Sequence, residues 1–304
     1  MNQNPLPFHS AFITLVGRPN SGKSTLINSI IGEEIAIVSA LPQTTRSNAR
    51  GIYTTDSMQL IFIDTPGLHI GNHTFNRAML QQVHNAVKDS VDLICYIVDL
   101  SRTIADEETT VAELVRSVAS VQRMVIFNKI DLVSSVEKAA AAFYQHFPDL
   151  AELPSIQISA MQDSARQLFL DAVTPFVPEG PRYFDPDDLS DSTMRYIAAE
   201  YIRKQIINFT GKEVPHAVYI EIESYKELQE RHTIIATIHV ETRGQRGIIV
   251  GKGGAVISRI KRQARKELQQ LTGIPVSLTC HVKVSPRWRD NRDFLTRMGV
   301  DISK

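Results

Sequence analysis

The chain is poor in the features that mark secreted and membrane proteins. Its 304 residues include only two cysteines, Cys95 and Cys280, which lie far apart in apolar, strand-like stretches, so neither disulfide nor metal-site spacing is present. No run reaches the roughly 18 apolar residues that span a bilayer. The first residues, Met1 to Pro5, do not form the basic and then apolar start of a secretory leader. We therefore expect a cytoplasmic protein in which both cysteines are packing residues.

The whole chain has a net charge of zero, but its two halves are oppositely charged. Residues 1–181 carry 12 Lys and Arg against 18 Asp and Glu, a net charge of −6, whereas residues 182–304 carry 21 against 15, a net charge of +6. Prolines at 175, 178, 181 and 186 interrupt the chain between the two halves and mark a semi-rigid linker. The chain is long enough for two separate cores. We predict a first domain at 1–178, a linker at 179–190 and a second domain at 191–304.

The first half alternates short apolar runs with helical patterns. This alternation predicts an α/β fold, a doubly wound and mostly parallel sheet that binds ligands at the carboxyl edge of its strands. The predicted strands and helices, in chain order, are 12–16, 26–31, 51–53, 60–63, 79–87, 93–98, 110–118, 125–127, 136–147, 156–158 and 168–176.

A phosphate-binding loop follows the first predicted strand. Residues 17–24 read Gly-Arg-Pro-Asn-Ser-Gly-Lys-Ser, which fits the pattern G-x-x-x-x-G-K-S/T between a strand and a helix. Glycines let backbone N–H groups turn onto phosphates at a helix N-terminus. We expect Lys23 to reach the β- and γ-phosphates and the Ser24 hydroxyl to bind Mg²⁺. The predicted phosphate-site residues are Gly17, Asn20, Ser21, Gly22, Lys23, Ser24 and Thr25.

A second motif, Asp64-Thr-Pro-Gly67, ends another apolar run. A carboxylate at this edge can hold Mg²⁺, usually through water, and Gly67 can offer its backbone N–H to the γ-phosphate. In the polar segment 33–50, Thr45 is the candidate for a hydroxyl that joins Mg²⁺ only when the γ-phosphate is present. Thr44 is the alternative.

Two further stretches predict recognition of guanine. Asp131, in Asn128-Lys129-Ile130-Asp131, can accept hydrogen bonds from guanine N1–H and from its exocyclic amine, a donor pair that adenine lacks. The stretch Ile158-Ser159-Ala160 can put a backbone N–H on guanine O6. A Ser-Ala dipeptide or a DxxG motif alone is usually a turn, but all four stretches in this order indicate one site for GTP or GDP.

The second half has a different pattern and a basic surface. Its predicted order is α-β-β-α-α-β, at 193–209, 217–223, 233–240, 247–250, 255–271 and 277–284. Residues 241–289 contain 11 basic and two acidic residues, which indicates a polyanionic partner. The loop Gly251-Lys-Gly-Gly254 between two helices is typical of KH domains, where a G-x-x-G loop clamps a nucleic-acid backbone. The predicted RNA-contact residues are Gly251, Lys252, Gly253, Gly254, Ile249, Arg246 and Arg259, although for Ile249, taken singly, a place in the core is the better interpretation.

With these residues in view, the whole chain from about residue 10 resembles the Era family of bacterial GTPases, a Ras-like domain followed by a type II KH domain. The resemblance includes the GKGG loop and four further stretches: Gln43-Thr44-Thr45-Arg46, 64–69, Glu213-Val-Pro-His216, and Val282-Lys-Val284 with Trp288. It implies a GTP-hydrolysing switch, a monomer, that binds the 3′ end of 16S ribosomal RNA rather than DNA and assists 30S subunit assembly.

The hydrolytic step must be organised without a glutamine after DxxG, because Leu68 occupies that position. Related GTPases with Asn in the phosphate loop use it to hold K⁺, which can stand where an arginine finger's charge would lie. The residues expected to support hydrolysis are Lys23, Thr45, Gly67 and Asn20, with K⁺ as a candidate further cofactor. The alternative is that Asn20 only caps the loop.

Other functions share parts of this pattern. A tRNA-modifying GTPase has a similar first half but needs its own catalytic cysteine near the C-terminus and a modification domain, and neither is evident. An RNA-binding regulatory or signalling GTPase without a role in ribosome assembly is the main alternative. The basic residues also leave open a peripheral association with the cytoplasmic face of the cell membrane.

Overall fold

A computed structural model describes residues 7–33, 50–64, 91–190, 193–210, 214 and 218–297. Within these ranges the chain forms two compact units, the first ending at Ser190 and the second beginning at Thr193. Each unit has its own apolar core.

The first unit is a six-stranded sheet with helices on both faces. Its strands follow the order β2-β3-β1-β4-β5-β6; every neighbouring pair is parallel except β2 with β3. The elements are β1 (His9–Val16), α1 (Lys23–Ile31), β2 (Arg50–Thr54), β3 (Met58–Asp64), β4 (Leu93–Asp99), α2 (Asp106–Ser117), β5 (Gln122–Asn128), α3 (Val136–His146), β6 (Ser155–Gln157) and α4 (Ser164–Val173).

Continuous burial explains why β4 lies in the middle of this sheet. All seven of its residues are buried, as expected for a parallel strand covered on both faces. One face packs against α1 and α4, for example through Ile27 and Phe169, and the other packs against α2 and α3 through Val111 and Phe143. The predicted doubly wound fold is confirmed. The predicted helix 79–87 lies outside the described residues.

The stretch predicted as a linker is attached to the first unit. The side chain of Gln59, which is fully buried in β3, donates to the Phe184 carbonyl and accepts from the backbone N–H groups of Tyr183 and Phe184. Further along, the N–H of Ile52 in β2 donates to the Leu189 carbonyl at 2.9 Å. Residues 183–190 therefore run beside β2 and β3.

The second unit is a three-stranded sheet packed against helices. Its strand order is β7-β8-β9, with β7 and β8 antiparallel and β8 and β9 parallel. The elements are α5 (Met194–Phe209), β7 (Tyr219–Leu228), β8 (Arg231–Val240), α6 (Arg243–Val250), α7 (Ala255–Thr272), β9 (Val276–Val284) and α8 (Arg292–Arg297). The predicted α-β-β-α-α-β order is confirmed.

The helix before the glycine loop is longer than predicted. The helix α6 begins at Arg243 because Thr242 and Gln245 form a capping box, each side chain bonding to the other's backbone N–H. The sequence pattern 247–250 covered only its apolar second half.

Both cysteines are packing residues, as expected. Cys95 is buried in β4, and burial raises the pKa of the Cys280 thiol in β9 to about 12. Among the described residues, no helix is both long enough and apolar enough to cross a membrane.

Candidate nucleotide and RNA sites

The phosphate loop connects the carboxyl end of β1 to the first turn of α1. Asn20 and Gly22 adopt left-handed backbone conformations, with φ of 63° and 105°. A Cβ on Gly22 would lie 2.1 Å from Asn128 Nδ2, and one on Gly17 would lie 2.5 Å from the carbonyl oxygen of Ile97. These two positions therefore admit only glycine, which brings the loop backbone against the ends of β4 and β5.

Lys23 lies within this loop rather than in solvent. Its side chain is buried, and Nζ donates to the carbonyls of Gly17 at 3.0 Å and Arg18 at 2.9 Å. Ser24 and Thr25 follow in the first turn of α1 and are half-buried. The loop therefore brings a lysine ammonium and the N-terminus of α1 together, and this combination suits a phosphate group.

Arg18 fixes the loop to α2, a contact that the sequence did not reveal. Its guanidinium donates to Glu108 Oε2 at 3.1 Å, to Glu107 Oε2 at 3.3 Å and to the Thr103 carbonyl at 3.0 Å. Tyr96 in β4 donates to the other oxygen of Glu108 at 2.6 Å. Burial, with the charge of Glu108 adding to it, raises the pKa of Tyr96, so the phenol stays protonated and acts as a donor. The only sequence signal was the acidic first turn of α2.

Asn128 is a brace between loops. It ends β5 and is almost fully buried; Nδ2 donates to the Ser21 carbonyl at 2.8 Å, and Oδ1 accepts from the backbone N–H of Ala160 at 2.9 Å. Its amide therefore holds the phosphate loop to the stretch that contains Ser159, which is also buried. The Ala160 N–H, a candidate for contact with guanine O6, donates to this amide in the structure.

Lys129 and Asp131 have different surroundings: the lysine forms an ion pair, and the aspartate is exposed. Lys129 has a left-handed φ of 62°, and its Nζ donates to Asp99 Oδ2 at 2.6 Å. Asp131 lies in the short 3-10 helix Ile130–Leu132 and is exposed, and its carboxylate has no hydrogen-bond partner among the residues that the structure describes. Asp131 is thus open to a donor pair from a ligand, whereas Asp99 was not anticipated from the sequence.

The expected magnesium residues are only partly described. Asp64 ends β3 and pairs in register with Leu15 of β1, so its backbone lies at the same sheet edge as the start of the phosphate loop. Ser24 lies at the other end of that loop, in the first turn of α1. The Asp64 side chain and all of Thr44, Thr45, Gly67 and Leu68 lie outside the described residues.

The glycine loop of the second unit has an unusual backbone. Gly251, Gly253 and Gly254 all have positive φ, of 72°, 59° and 80°. A Cβ on Gly251 would lie 2.5 Å from Val256 Cγ2, whereas one on Gly253 would meet nothing within 4 Å. Lys252 is exposed. Gly251 is therefore required by internal packing, while Gly253 leaves open space toward the outside, where a nucleic-acid backbone can approach closely.

Cations around this loop face solvent, whereas the two acidic residues of 241–289 are paired. Glu241 forms an ion pair with Arg289, and Glu267 lies 3.3 Å from Lys204 Nζ. Buried residues Ile260 and Ala264 turn one face of α7 toward the core and leave its basic residues on the other. The exposed cations are Arg243, Arg246, Lys252, Arg259, Arg262, Arg265 and Lys266.

Ile249 corrects one expected RNA contact. Its side chain is 0% exposed and belongs to the apolar core with Ile238 and Ile260, so RNA cannot reach it in this fold. The neighbouring Ile248 is 50% exposed. The rotation of α6 about its axis decides between the two, and the run Ile-Ile-Val does not reveal that rotation.

Both units match known protein families. Residues 12–129 match a family model described as 50S ribosome-binding GTPase, and residues 213–289 match the KH domain model. The chain is 38% identical to GTPase Era of Caldanaerobacter subterraneus subsp. tengcongensis; the alignment covers 98% of this chain and all of the relative.

Solved structures agree with this relationship over both units. A variant of Aquifex aeolicus Era bound to GDP·AlF4⁻ is 26% identical with a TM-score of 0.89, and Era in complex with MgGDPNP and nucleotides 1506–1542 of 16S ribosomal RNA is 26% identical with a TM-score of 0.90. Each match covers 96% of this chain and 99% of the other. Because a relative of 38% identity aligns over 98% of this chain and both domain models match, the chain belongs to the Era family of GTPases.

Proposed function

We propose that this GTPase is a switch that binds the 3′ end of 16S ribosomal RNA and assists assembly of the 30S subunit. One observation carries the proposal: the same chain has two candidate sites. The first is a phosphate loop held by Asn128 next to the base motif, and the second is a glycine loop surrounded by exposed cations. A 26% identical Era has been crystallised with MgGDPNP and 16S nucleotides together, which supports the pairing of these two ligands here.

In the first unit, the loop backbone and Lys23 hold the phosphates, and Asp131 accepts from the guanine edge. Hydrogen bonds to a charged acceptor contribute roughly 1.5–3 kcal/mol each, so Asp131 favours GTP over ATP. We assign Mg²⁺ to Ser24 and Asp64, joined by Thr45 or Thr44 when the γ-phosphate is present. Bound Mg²⁺ would neutralise part of the phosphate charge.

K⁺ is a further cofactor in this proposal, held at Asn20. Asn20 lies in the phosphate loop with a left-handed backbone, a conformation that a residue with a Cβ keeps only where its surroundings enforce it. We expect faster GTP hydrolysis in KCl than in NaCl at equal ionic strength, and we expect Asn20→Ala to lose this difference. Equal rates in both salts, or an Asn20→Ala variant that keeps the K⁺ effect, would contradict the assignment.

In the second unit, RNA phosphates lie against the glycine loop and the cations of α6 and α7. Neutralising several phosphates makes log affinity fall steeply with log salt concentration. The same cations could attract anionic lipid, so anionic vesicles that displace RNA would point instead to a membrane role. We expect a monomer, which light scattering checks.

Crosslinking to total cellular RNA tests the proposal. Protein would be irradiated with GTP or GDP, and the attached RNA would be sequenced; we expect reads concentrated at the 3′ end of 16S ribosomal RNA. Replacing Lys252 and Gly253 by Asp should abolish this signal through charge repulsion and loss of close approach, with little change in GTP hydrolysis by the free protein. Lys138→Asp, a Lys-to-Asp charge reversal at an exposed position of α3 in the first unit, is the control. Reads spread over tRNA or messenger RNA, or a double variant that still binds, would overturn the proposal.

A further inference from the structure

Asp99 is a buried carboxylate at the edge of the base site. It is the last residue of β4 and pairs in register with Asn128 of β5. Its side chain is 0% exposed. Oδ1 accepts from the backbone N–H of Ser101 at 3.0 Å and from the Ser101 hydroxyl at 2.6 Å, which leaves Oδ2 for Lys129 Nζ at 2.6 Å. Three donors therefore fix this carboxylate.

The partner of Asp99 lies inside the base motif. Lys129 is bracketed by Asn128, which braces the loops, and by Asp131, two residues later. Its side chain is 29% exposed, although its ammonium is held by a fully buried group. The left-handed backbone of Lys129 is uncommon for a residue with a Cβ and is kept only where the surroundings enforce it. Ammonium and backbone are both fixed, so the path of the four-carbon stem is fixed as well.

An ammonium released from Asp99 would have another acceptor close in sequence. The Asp131 carboxylate is exposed and has no hydrogen-bond partner in the described part of the chain, and a lysine with a free side chain two residues away would compete for it. Such pairing would occupy the oxygens that must accept from guanine. The ion pair with Asp99 keeps the ammonium away.

We propose that Asp99 is a positioning residue for guanine recognition: it sequesters the Lys129 ammonium, which leaves Asp131 free and holds the Lys129 stem in one place beside the base. Asp99 does not touch the nucleotide. The inference rests on the proposed role of Asp131 in base recognition.

A double-mutant cycle on nucleotide release tests this role. Fluorescent GDP would be bound to the full-length protein, and its dissociation followed after mixing with excess unlabelled GDP. We expect Asp99→Asn to speed release about tenfold, since a charged hydrogen bond is lost at the base. In the Lys129→Met background, Asp99→Asn should add nothing, because the group that it positions is gone. A purely structural carboxylate would instead speed release equally in both backgrounds, and that result would overturn the proposal.

Two further variants keep the test decisive. Asp92→Asn is the matched control, since Asp92 lies just before the other end of β4 and its carboxylate accepts from the Phe12 N–H at 2.8 Å; we expect unchanged release. If Asp99→Asn does not fold, Ser101→Ala removes one donor to Asp99, and we expect a smaller acceleration that also vanishes in the Lys129→Met background. If replacement of Asp131 changes base preference but neither Asp99→Asn nor Ser101→Ala changes release, only this inference fails. If replacement of Asp131 leaves GTP use intact, the proposed base site itself fails.

Discussion

Asn128 is a motif residue whose side chain bonds to other parts of the protein. The amide spans from the phosphate loop to the backbone of Ala160, and the neighbouring Gly22 has no Cβ because Asn128 Nδ2 would meet it at 2.1 Å. The motif therefore combines a buried brace, a lysine held by Asp99 and an exposed carboxylate on Asp131. Of these three side chains, only that of Asp131 has no hydrogen-bond partner among the described residues.

Asp131→Asn should shift base preference from guanine toward xanthine, because an amide donor suits the C2 carbonyl of xanthine and no longer accepts from the guanine amine. Hydrolysis of GTP and XTP at equal concentrations measures the shift. Asp163→Asn, a second exposed aspartate near this site in sequence, is the control. Undiminished GTP use by the Asp131 variant would contradict the assignment.

Residue type and spacing were enough to predict a role for each motif residue, and these roles stay predictions. The surroundings of those residues could not be predicted. Arg18 meets Glu108 across 90 positions of chain, and Lys129 meets Asp99 across 30, so neither pair leaves a local pattern. Ile248 and Ile249 are chemically identical, and only the packing of α6 decides which one is exposed.

At the scale of elements, α2 is attached to the phosphate loop by a buried ion pair. Arg18 and Glu108 are both nearly inaccessible to water, so the loss of Glu108 leaves the buried guanidinium with only the more exposed carboxylate of Glu107. Removing one member of a buried pair typically costs about 3–5 kcal/mol. The pair makes the loop and the first turn of α2 one structural unit.

We therefore expect Glu108→Gln to destabilise the first unit by roughly 3 kcal/mol. Urea unfolding followed by far-ultraviolet circular dichroism measures this change. The single tryptophan, Trp288, is buried in the second unit, so its fluorescence should report an unchanged transition for that unit. Glu113→Gln, on the exposed face of α2, is the matched control and should stay within about 0.5 kcal/mol of wild type. Equal stability of both variants would argue against a structural role for the pair.

Element order was predictable because apolar runs and helical periodicity alternate clearly in the first half. Element ends were less so. Polar residues at the start of α6, Arg243 to Arg246, hid its first turn, although Thr242 and Gln245 have the spacing of a capping box. The contacts of Tyr183 and Phe184 depend on Gln59, more than 120 positions away, and no local signal indicates them.

In the molecule as a whole, the two halves of the chain carry opposite net charges. The acidic half carries the nucleotide site, and the basic half presents exposed arginines and lysines around its glycine loop. The change in composition near residue 181 was enough to predict two domains. Glu241 and Glu267 are each paired with another cation, so within the described part of the chain they do not neutralise the exposed cations of α6 and α7; only the fold shows this.

We propose that the nucleotide in the first unit governs how tightly the second unit binds RNA. Coupling between two sites is typically worth about 1–3 kcal/mol, which corresponds to a change in affinity of roughly 5- to 150-fold. Isothermal titration calorimetry of a 16S 3′-end RNA into the full-length protein, with no nucleotide, with GDP or with GDPNP, measures it directly. We predict that the GDPNP-bound and GDP-bound forms differ in RNA affinity by at least about fivefold. Equal affinities in all three states would contradict this coupling.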